Sequence, residues 1–270
     1  MSSSKSDRVQ ISIENGIAMV TLNRPEKYNG LDMPMFHGIT DAAKTLKKDR
    51  SVRAIILSGT GEAFCSGLDI KTVSRNPANF LRLLFKPGRK ISNLAQDVGY
   101  LWRDLPAPVI AVTHGYCFGG GFQIAMGADF RFSTADCEFS IMESKWGLIP
   151  DMSLAVTLRE LIAIDLAKEL TMTARRFSGT EARAMGLVSR ICDDPMAEAL
   201  DFARELAERS PDAVAASKLL FNRTWSATDR DALAWETRLQ KKLLARTNQR
   251  IAVARNSGEP DKPFVDRRNL

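Results

Sequence analysis

Two carboxylates in one short stretch are the first candidates for acid–base chemistry. Glu143 and Asp151 stand eight residues apart, with Gly147 and Pro150 between them. Glycine and proline favour a turn, so both side chains can face one cavity. A carboxylate beside a substrate can remove a proton and return it, and such groups contribute roughly 10²–10⁴ in rate. Carboxylates are also common on surfaces, so the pair alone leaves a structural role open.

Two glycine-containing loops offer backbone N–H groups as a second kind of functional group. Residues 64–67 (Phe-Cys-Ser-Gly) form one loop, and residues 119–121 (Gly-Gly-Gly) lie between an apolar run and a helix-like run. Where a strand meets a helix through glycines, the first helical N–H groups stay unpaired and a ligand can approach closely. Two such donors aimed at one point form an oxyanion hole. Taken singly, each loop is equally consistent with a plain glycine turn.

Motifs of several other functional classes are missing from the sequence. There is no P-loop, no G-x-G-x-x-G after the first strand and no G-x-S-x-G elbow. His114 is one of only two histidines, and a hydrogen-bonded structural role is its simplest interpretation. The four cysteines show no C-x-x-C spacing, so we predict reduced thiols. No His-Cys-Asp cluster points to a metal, and we predict none.

The bulk composition is that of an ordinary globular protein. The chain has 270 residues, 44% hydrophobic and 26% charged, with a formal net charge of +6. This basic balance fits an anionic small ligand, a nucleic acid or a surface with no partner. No apolar run reaches membrane-spanning length, and residues 1–8 are polar without a hydrophobic core. We therefore expect a cytoplasmic protein without a membrane partner.

The elements that must position these loops alternate between strands and helices. Residues 9–13 and 17–21 alternate in hydrophobicity around Asn15-Gly16, which predicts a hairpin. Helical spacing covers residues 35–46. Further buried strands are predicted at residues 54–57, 109–113 and 129–133. This order predicts an α/β fold with parallel strand pairing.

The second half of the chain changes character after Pro195. Successive helices without strands are predicted at residues 196–209, 212–224 and 229–254. We therefore divide the chain into a core domain, residues 1–195, and a helical oligomerisation region, residues 196–270. Within the core, residues 91–102 carry a helical apolar stripe that either packs in the core or walls a ligand pocket.

Four ordered motifs resemble the crotonase superfamily, the enoyl-CoA hydratase/isomerase family. They are residues 23–29 (Asn-Arg-Pro-Glu-Lys-Tyr-Asn), 63–70 (Ala-Phe-Cys-Ser-Gly-Leu-Asp-Ile), 114–121 (His-Gly-Tyr-Cys-Phe-Gly-Gly-Gly) and 147–150 (Gly-Leu-Ile-Pro). The resemblance covers roughly residues 9–225. It implies a spiral of ββα units followed by a helical trimerisation region, hence a homotrimer or a dimer of trimers. It also implies an acyl-CoA substrate and no separate cofactor, since coenzyme A is part of the substrate.

The same resemblance assigns roles to individual residues. The backbone N–H groups of Ser66 and Gly120 match the oxyanion hole that holds the thioester carbonyl as it becomes an enolate. One such donor is worth about 10²–10³ in rate. The residues that match the coenzyme A cradle are Lys27, Tyr28, Ala63, Leu68, Asp69 and Ile70.

Hydratases of this family use two glutamates, and this sequence has only one of them. Glu143 matches the second, whereas Gln123 stands at the position of the first. An amide cannot transfer the proton at neutral pH, so Gln123 is expected to position substrate or water. Asp151 matches an aspartate of the dienoyl-CoA isomerases, although those enzymes also have an acidic residue at the Gln123 position. Asp151 is therefore either a proton-shuttling partner or a helix N-cap.

The residues favour double-bond isomerisation of unsaturated acyl-CoA thioesters over hydration. Enoyl-CoA hydration in fatty-acid oxidation is the alternative within the family. Two further alternatives are an RNA-binding homologue and a non-catalytic acyl-CoA binder on the same fold. Lys and Arg are dispersed without interleaved aromatic residues, so nucleic acid is not expected as a partner.

Overall fold

The predicted hairpin forms the start of a large sheet. The computed structural model describes residues 7–269, so residues 1–6 of the polar start and Leu270 lie outside the described residues. Strands β1 (Val9–Glu14) and β2 (Ile17–Leu22) pair antiparallel. Asn15 and Gly16 between them both have positive φ, 51° and 78°, as a two-residue hairpin turn requires. The hairpin prediction is confirmed.

Two sheets organise the rest of the core, and both contain parallel pairs. The first has the strand order β1-β2-β3-β4-β6-β9, parallel from β2 onward. Its further strands are β3 (Ala54–Gly59), β4 (Val109–Thr113), β6 (Phe130–Ser133) and β9 (Arg190–Ile191). The second sheet has the order β5-β7-β8 and contains β5 (Tyr116–Phe118), β7 (Glu138–Ser140) and β8 (Phe177–Ser178). The predicted α/β class is confirmed.

Twelve α-helices occur within residues 7–269. They are α1 (Met33–Lys48), α2 (Ile70–Val73), α3 (Ala78–Leu84), α4 (Leu94–Arg103), α5 (Gly120–Met126), α6 (Leu154–Thr157), α7 (Ile164–Thr173), α8 (Gly179–Ala184), α9 (Pro195–Ala207), α10 (Pro211–Thr224), α11 (Asp229–Leu243) and α12 (Thr247–Asn256). Short 3₁₀ turns lie at Pro25–Lys27, Glu143–Trp146 and Leu158–Glu160. No helix of the described chain is long and apolar enough to cross a membrane.

Two predicted helices differ from the structure in their bounds. The helix predicted over residues 229–254 is wrong, because Ala245 adopts φ 59° and separates α11 from α12. The apolar stripe is predicted from Ile91, but the helix that carries it, α4, begins only at Leu94. Asn93 ends the preceding loop there with a capping box, in which it and Gln96 exchange side-chain to backbone hydrogen bonds.

The large sheet is covered on both faces, as the alternation along β3 shows. Ile55 and Leu57 belong to the main core, which α1 and α4 also enter. Ile56 points to the opposite face, where Ala199 and Ala203 of α9 pack against it. Successive strand residues point to opposite faces, so β3 is buried on both. Helix α9 begins at the predicted domain boundary, residue 195, and packs against the sheet of the core. The division of the chain into two regions at that residue stays a prediction.

Candidate active site

The two glycine-containing loops lie side by side and are hydrogen-bonded to each other. The N–H of Cys65 donates to the carbonyl of Tyr116, and the N–H of Phe118 donates to the carbonyl of Cys65, both over 3.0 Å. Cys65 and Cys117 thereby form a parallel bridge. The structure thus brings together two segments that lie more than fifty residues apart in the sequence.

Glycine is required at two points where these loops meet. Gly67 has φ +90°, and a Cβ there would lie 2.8 Å from the carbonyl oxygen of Phe118 and 3.2 Å from the nitrogen of Gly120. A Cβ on Gly121 would lie 2.3 Å from the carbonyl oxygen of Cys65. Real Cβ atoms do not approach so closely, so glycine permits the contact of the two backbones.

Gly120 presents its backbone N–H at the start of α5. The first N–H groups of a helix have no acceptor within it, and the described residues provide no other acceptor for Gly120. Gly119, the preceding residue, reverses the chain with φ 49° and ψ −116°. The N–H of Gly120 is therefore available to a ligand, as the sequence predicts.

The assignment of Ser66 to the second donor is wrong. Its N–H donates to the carbonyl of Tyr28 over 2.9 Å. This bond belongs to a short ladder in which Leu31 donates to the carbonyl of Gly67 and Asp69 donates to the carbonyl of Leu31. Because N–H groups alternate in direction along an extended chain, Leu68 points away from the ladder, and its N–H has no acceptor among the described residues. Leu68, adjacent to Gly67, replaces Ser66 as the free donor.

A buried polar pair, which the sequence analysis missed, ties these loops to the segment before α1. Asn29 accepts the N–H of Arg24 and donates to the carbonyls of Thr60 and Ala63. Arg24 pairs with Asp69 over 2.9 Å. Burial opposes ionisation of Asp69, yet hydrogen bonds from Thr72 and the Arg24 charge hold its pKa below the ordinary value. The Asp69 carboxylate is thus engaged within the protein.

The other residues predicted to cradle coenzyme A lie around the same loops. Lys27 and Tyr28 are exposed, and the Tyr28 ring packs edge-on against Tyr116 at 5.7 Å between centroids. Ala63 is fully buried. Ile70 begins α2 and is partly exposed. The exposed pair gives this edge of the site a cationic and an aromatic side chain.

Glu143 supplies a carboxylate beside the glycine turn. Its Oε1 lies 3.4 Å from where a Cβ on Gly119 would stand. Its Oε2 is buried and accepts no hydrogen bond from the described residues. Burial raises the pKa of Glu143; the hydrogen bond from Gln123 opposes this rise, and the charge of Asp151 adds to it. A desolvated carboxylate with one free oxygen is suited to accept a proton.

Gln123 is fully buried and uses both ends of its amide within the protein. Its Nε2 donates to Oε1 of Glu143 over 2.6 Å, and its Oε1 accepts the N–H of Met152 over 2.8 Å. These two bonds use only one of the two N–H groups on Nε2, so the positioning of substrate or water by Gln123 stays a prediction. Its contacts within the protein position Glu143.

Asp151 is not the N-cap of a helix, so that alternative is wrong. The following helix, α6, begins at Leu154, and its N-cap is Ser153 with φ 76°. Asp151 is exposed, although the surrounding protein desolvates its carboxyl enough to raise its pKa. Within residues 7–269 its side chain forms no hydrogen bond or ion pair with another residue. It lies close enough to Glu143 for its charge to act on that group.

The cysteine and the histidine near the site have structural roles. Burial raises the pKa of Cys65 to about 12, so its thiol stays protonated at neutral pH. A ring nitrogen of His114 lies 2.9 Å from the carbonyl oxygen of Gly61, which is the structural role predicted for it. The described part of the chain contains no group of side chains that could hold a metal ion. The site therefore offers base catalysis beside two free N–H donors.

Comparison with known proteins agrees with this geometry. The profile of the enoyl-CoA hydratase/isomerase family matches residues 12–264. The chain is 34% identical to the carnitinyl-CoA dehydratase of Salmonella agona (strain SL483) over 224 residues, 81% of this chain and 82% of that protein. It is 31% identical to the mitochondrial Delta(3,5)-Delta(2,4)-dienoyl-CoA isomerase of Rattus norvegicus over 234 residues, 81% and 70% of the two chains.

The fold is likewise that of solved members. The crystal structure of the enoyl-CoA hydratase of Mycobacterium smegmatis superposes with a TM-score of 0.83 at 27% identity, covering 95% of this chain and 98% of the other. This match confirms the fold expected from the four motifs. The chain therefore belongs to the enoyl-CoA hydratase/isomerase family, a group of enzymes within the crotonase superfamily.

Proposed function

We propose that the protein isomerises a double bond of an unsaturated acyl-CoA thioester, with Glu143 as the base. The observation that carries this proposal is the placement of Gln123. It occupies the position of one hydratase glutamate, and both ends of its amide are engaged by Glu143 and Met152. Concerted two-carboxylate hydration lacks its second carboxylate there, whereas isomerisation needs one group that removes and returns a proton.

The proposed reaction uses the free backbone donors and the free carboxylate oxygen. Oε2 of Glu143 removes a proton from C2 of a 3-enoyl thioester, and the electron pair moves toward the thioester oxygen. The N–H groups of Leu68 and Gly120 stabilise the resulting dienolate, each worth about 10²–10³ in rate. Glu143 then delivers a proton to C4, either the one that it removed or one exchanged with solvent, which leaves the double bond between C2 and C3. Coenzyme A stays attached throughout, so no separate cofactor takes part.

Asp151 extends the proposal to longer conjugated substrates. A 3,5-dienoyl thioester must receive the proton at C6, farther from C2 than one carboxylate reaches. Asp151 forms no side-chain hydrogen bond or ion pair with another described residue, has a raised pKa and interacts electrostatically with Glu143. These properties suit a second group that delivers a proton. The similarity to a dienoyl-CoA isomerase supports this role, and the similarity to a dehydratase supports hydration as the alternative.

Three substrates separate the two reactions. Purified protein is offered 2-enoyl-, 3-enoyl- and 3,5-dienoyl-CoA, and the product of each is followed by absorbance and identified by mass spectrometry. We expect turnover of a 3-enoyl or 3,5-dienoyl substrate that Glu143→Gln reduces by at least about 10²-fold. Glu138→Gln is the matched control, because Glu138 is half-exposed and, among the described residues, its carboxylate pairs only with Arg176. Efficient hydration of the 2-enoyl substrate without any isomerisation would overturn the proposal.

We also propose assembly into a homotrimer or a dimer of trimers through the C-terminal helices. Phe221, Trp225, Leu233 and Leu244 are more than half exposed on the single chain. Phe221 and Trp225 border a cavity of about 620 Å³ that Phe130 and Leu161 also line. Such exposed apolar surface favours association. Light scattering should give three or six times the chain mass for the wild type and a smaller mass for Trp225→Glu; a monomeric wild type contradicts the proposal.

A further inference from the structure

Residues 71–91, which join the Leu68 loop to α4, concentrate positive charge. The segment contains six basic residues and no acidic one, whereas the whole chain carries a formal net charge of +6 from 38 basic and 32 acidic residues. All six are exposed, and none forms an ion pair within residues 7–269. They are Lys71, Arg75, Arg82, Lys86, Arg89 and Lys90.

The same segment exposes large apolar side chains. Leu81, Phe85 and Ile91 are 73%, 67% and 71% exposed, and Phe80 and Leu84 also lie at the surface. Four of these residues are at or next to the C-terminal half of α3, and they form two pairs four residues apart, Phe80 with Leu84 and Leu81 with Phe85, which is the spacing of neighbours on a helix surface. Leu83, the buried residue of α3, anchors the helix to the core. The exposed apolar residues therefore project outward from an anchored element.

We propose that residues 71–91 bind the surface of an anionic lipid bilayer. Exposed Phe and Leu side chains beside Lys and Arg form the pattern by which short amphipathic segments insert at a membrane interface. Clusters of four to eight basic residues add attraction to anionic headgroups. This binding is peripheral and involves no membrane-spanning helix. It revises the sequence-based expectation that the protein has no membrane partner, and it does not depend on the proposed reaction.

The charge of the segment and its exposed apolar side chains favour a bilayer over a protein. Apolar side chains that project outward need a shaped groove in a protein partner, whereas a fluid bilayer accepts them without one. A second copy that met this segment with its own would bring six more positive charges to the contact. Six cations that form no ion pair with the described residues, in a segment without an acidic residue, match a surface of uniform negative charge.

Flotation with vesicles tests the proposal on the full-length protein. Vesicles of phosphatidylcholine alone are compared with vesicles containing about one third phosphatidylglycerol, at 0.1 M and 1 M salt. We expect binding to the anionic vesicles and none to the neutral ones. Leu81→Ser/Phe85→Ser should leave only binding that 1 M salt releases completely, whereas part of the wild-type binding should resist it. Equal or absent wild-type binding to both kinds of vesicle would overturn the proposal.

A charge reversal with a matched control distinguishes the segment from the net charge of the protein. Lys86→Glu/Arg89→Glu/Lys90→Glu should weaken binding to anionic vesicles by at least about 100-fold. Lys48→Glu/Lys168→Glu/Arg183→Glu produces the same change in net charge at exposed positions elsewhere and should bind within a few-fold of the wild type. Circular dichroism confirms that each variant is folded. Equal losses in the two triple variants would contradict the proposal.

Discussion

Gln123 donates a hydrogen bond from Nε2 to Oε1 of Glu143 over 2.6 Å, so a buried amide orients a buried carboxylate. The other end of the amide accepts the N–H of Met152, the neighbour of Asp151. A hydrogen bond to the ionised form favours that form, whereas burial disfavours it. The amide therefore supports a desolvated carboxylate without supplying a proton. The oxygen left for the reaction is Oε2.

Removing this amide should reduce turnover more than substrate binding. We expect Gln123→Leu to lower kcat by up to about 10²-fold with little change in KM, because Glu143 loses its orientation while the loops around Leu68 and Gly120 stay intact. The unpaired buried N–H of Met152 should cost about 1–3 kcal/mol of stability. Steady-state kinetics and thermal unfolding measure the two effects.

The conservative variant Gln123→Glu serves as the control. Its carboxylate still accepts the N–H of Met152, but it replaces the donor to Glu143 with a like charge, which raises the pKa of Glu143 further. The acidic limb of the kcat/KM profile should therefore move to higher pH than in the wild type. An unchanged kcat in Gln123→Leu, or an unchanged limb in Gln123→Glu, would show that Gln123 does not position the base.

Glu143→Gln should stabilise the protein while it removes activity. Burial raises the pKa of Glu143 above its ordinary value of 4.5, so the folded state binds this proton more tightly than the unfolded chain. The contribution of Glu143 to the free energy of unfolding is then greatest below pH 4.5 and decreases as pH rises through the raised value. At neutral pH the free energy of unfolding of the variant should exceed that of the wild type by about 0.5–2 kcal/mol. This difference should disappear in acid. Denaturant unfolding at several pH values measures this difference, with Glu138→Gln as the control. A Glu143→Gln variant less stable than the wild type at neutral pH would contradict the prediction.

Removing the charge of Asp151 should shift the pH profile of kcat/KM in the direction opposite to that expected for Gln123→Glu. Asp151 contributes to the raised pKa of Glu143, so Asp151→Asn should lower that pKa and move the acidic limb of kcat/KM to lower pH. If Asp151 delivers the proton to C6, turnover of a 3,5-dienoyl substrate should decrease by about 10²-fold or more, with a smaller effect on a 3-enoyl substrate. Equal effects on both substrates would argue against a separate role in delivery.

The contact between the two loops should not tolerate a side chain at Gly67. A Cβ there meets the carbonyl of Phe118 at 2.8 Å and requires φ +90°. Gly67→Ala should therefore cost about 3 kcal/mol or more and separate the Leu68 and Gly120 donors. Gly88→Ala is the control, since Gly88 has φ +58° with nothing within 4 Å; it should cost only about 1–2 kcal/mol. Thermal unfolding of both variants gives the comparison, and equal losses would mean that strain alone, without the clash, sets the cost.

Local patterns in the sequence were sufficient to predict the class of fold and the two loops of the site. The Asn15-Gly16 turn and the buried strands have short-range signals. The free N–H at Leu68 has no such signal, because it depends on the register with which residues 66–69 pair with residues 28–31. The break at Ala245 also lacks a signal, since alanine favours helix.

The role of Gln123 likewise depends on contacts between distant segments. Its residue type already indicated the loss of a catalytic carboxylate. Its two partners follow 20 and 29 residues later in the sequence, so only the folded chain shows that both ends of the amide are engaged. The charge of residues 71–91 was visible in the sequence, but its exposure and the absence of ion pairs within the described chain were not.

Hydrogen exchange at C2 of an acyl-CoA thioester in D₂O tests most directly whether Glu143 forms the enolate. Mass spectrometry follows deuterium entering a 3-enoyl-CoA and its 2-enoyl product. Exchange reports removal of the proton even when the product does not accumulate. We predict exchange with the wild type and with Glu138→Gln, and a loss of at least about 10²-fold with Glu143→Gln. Exchange at the wild-type rate in Glu143→Gln would contradict the assignment of Glu143 as the base.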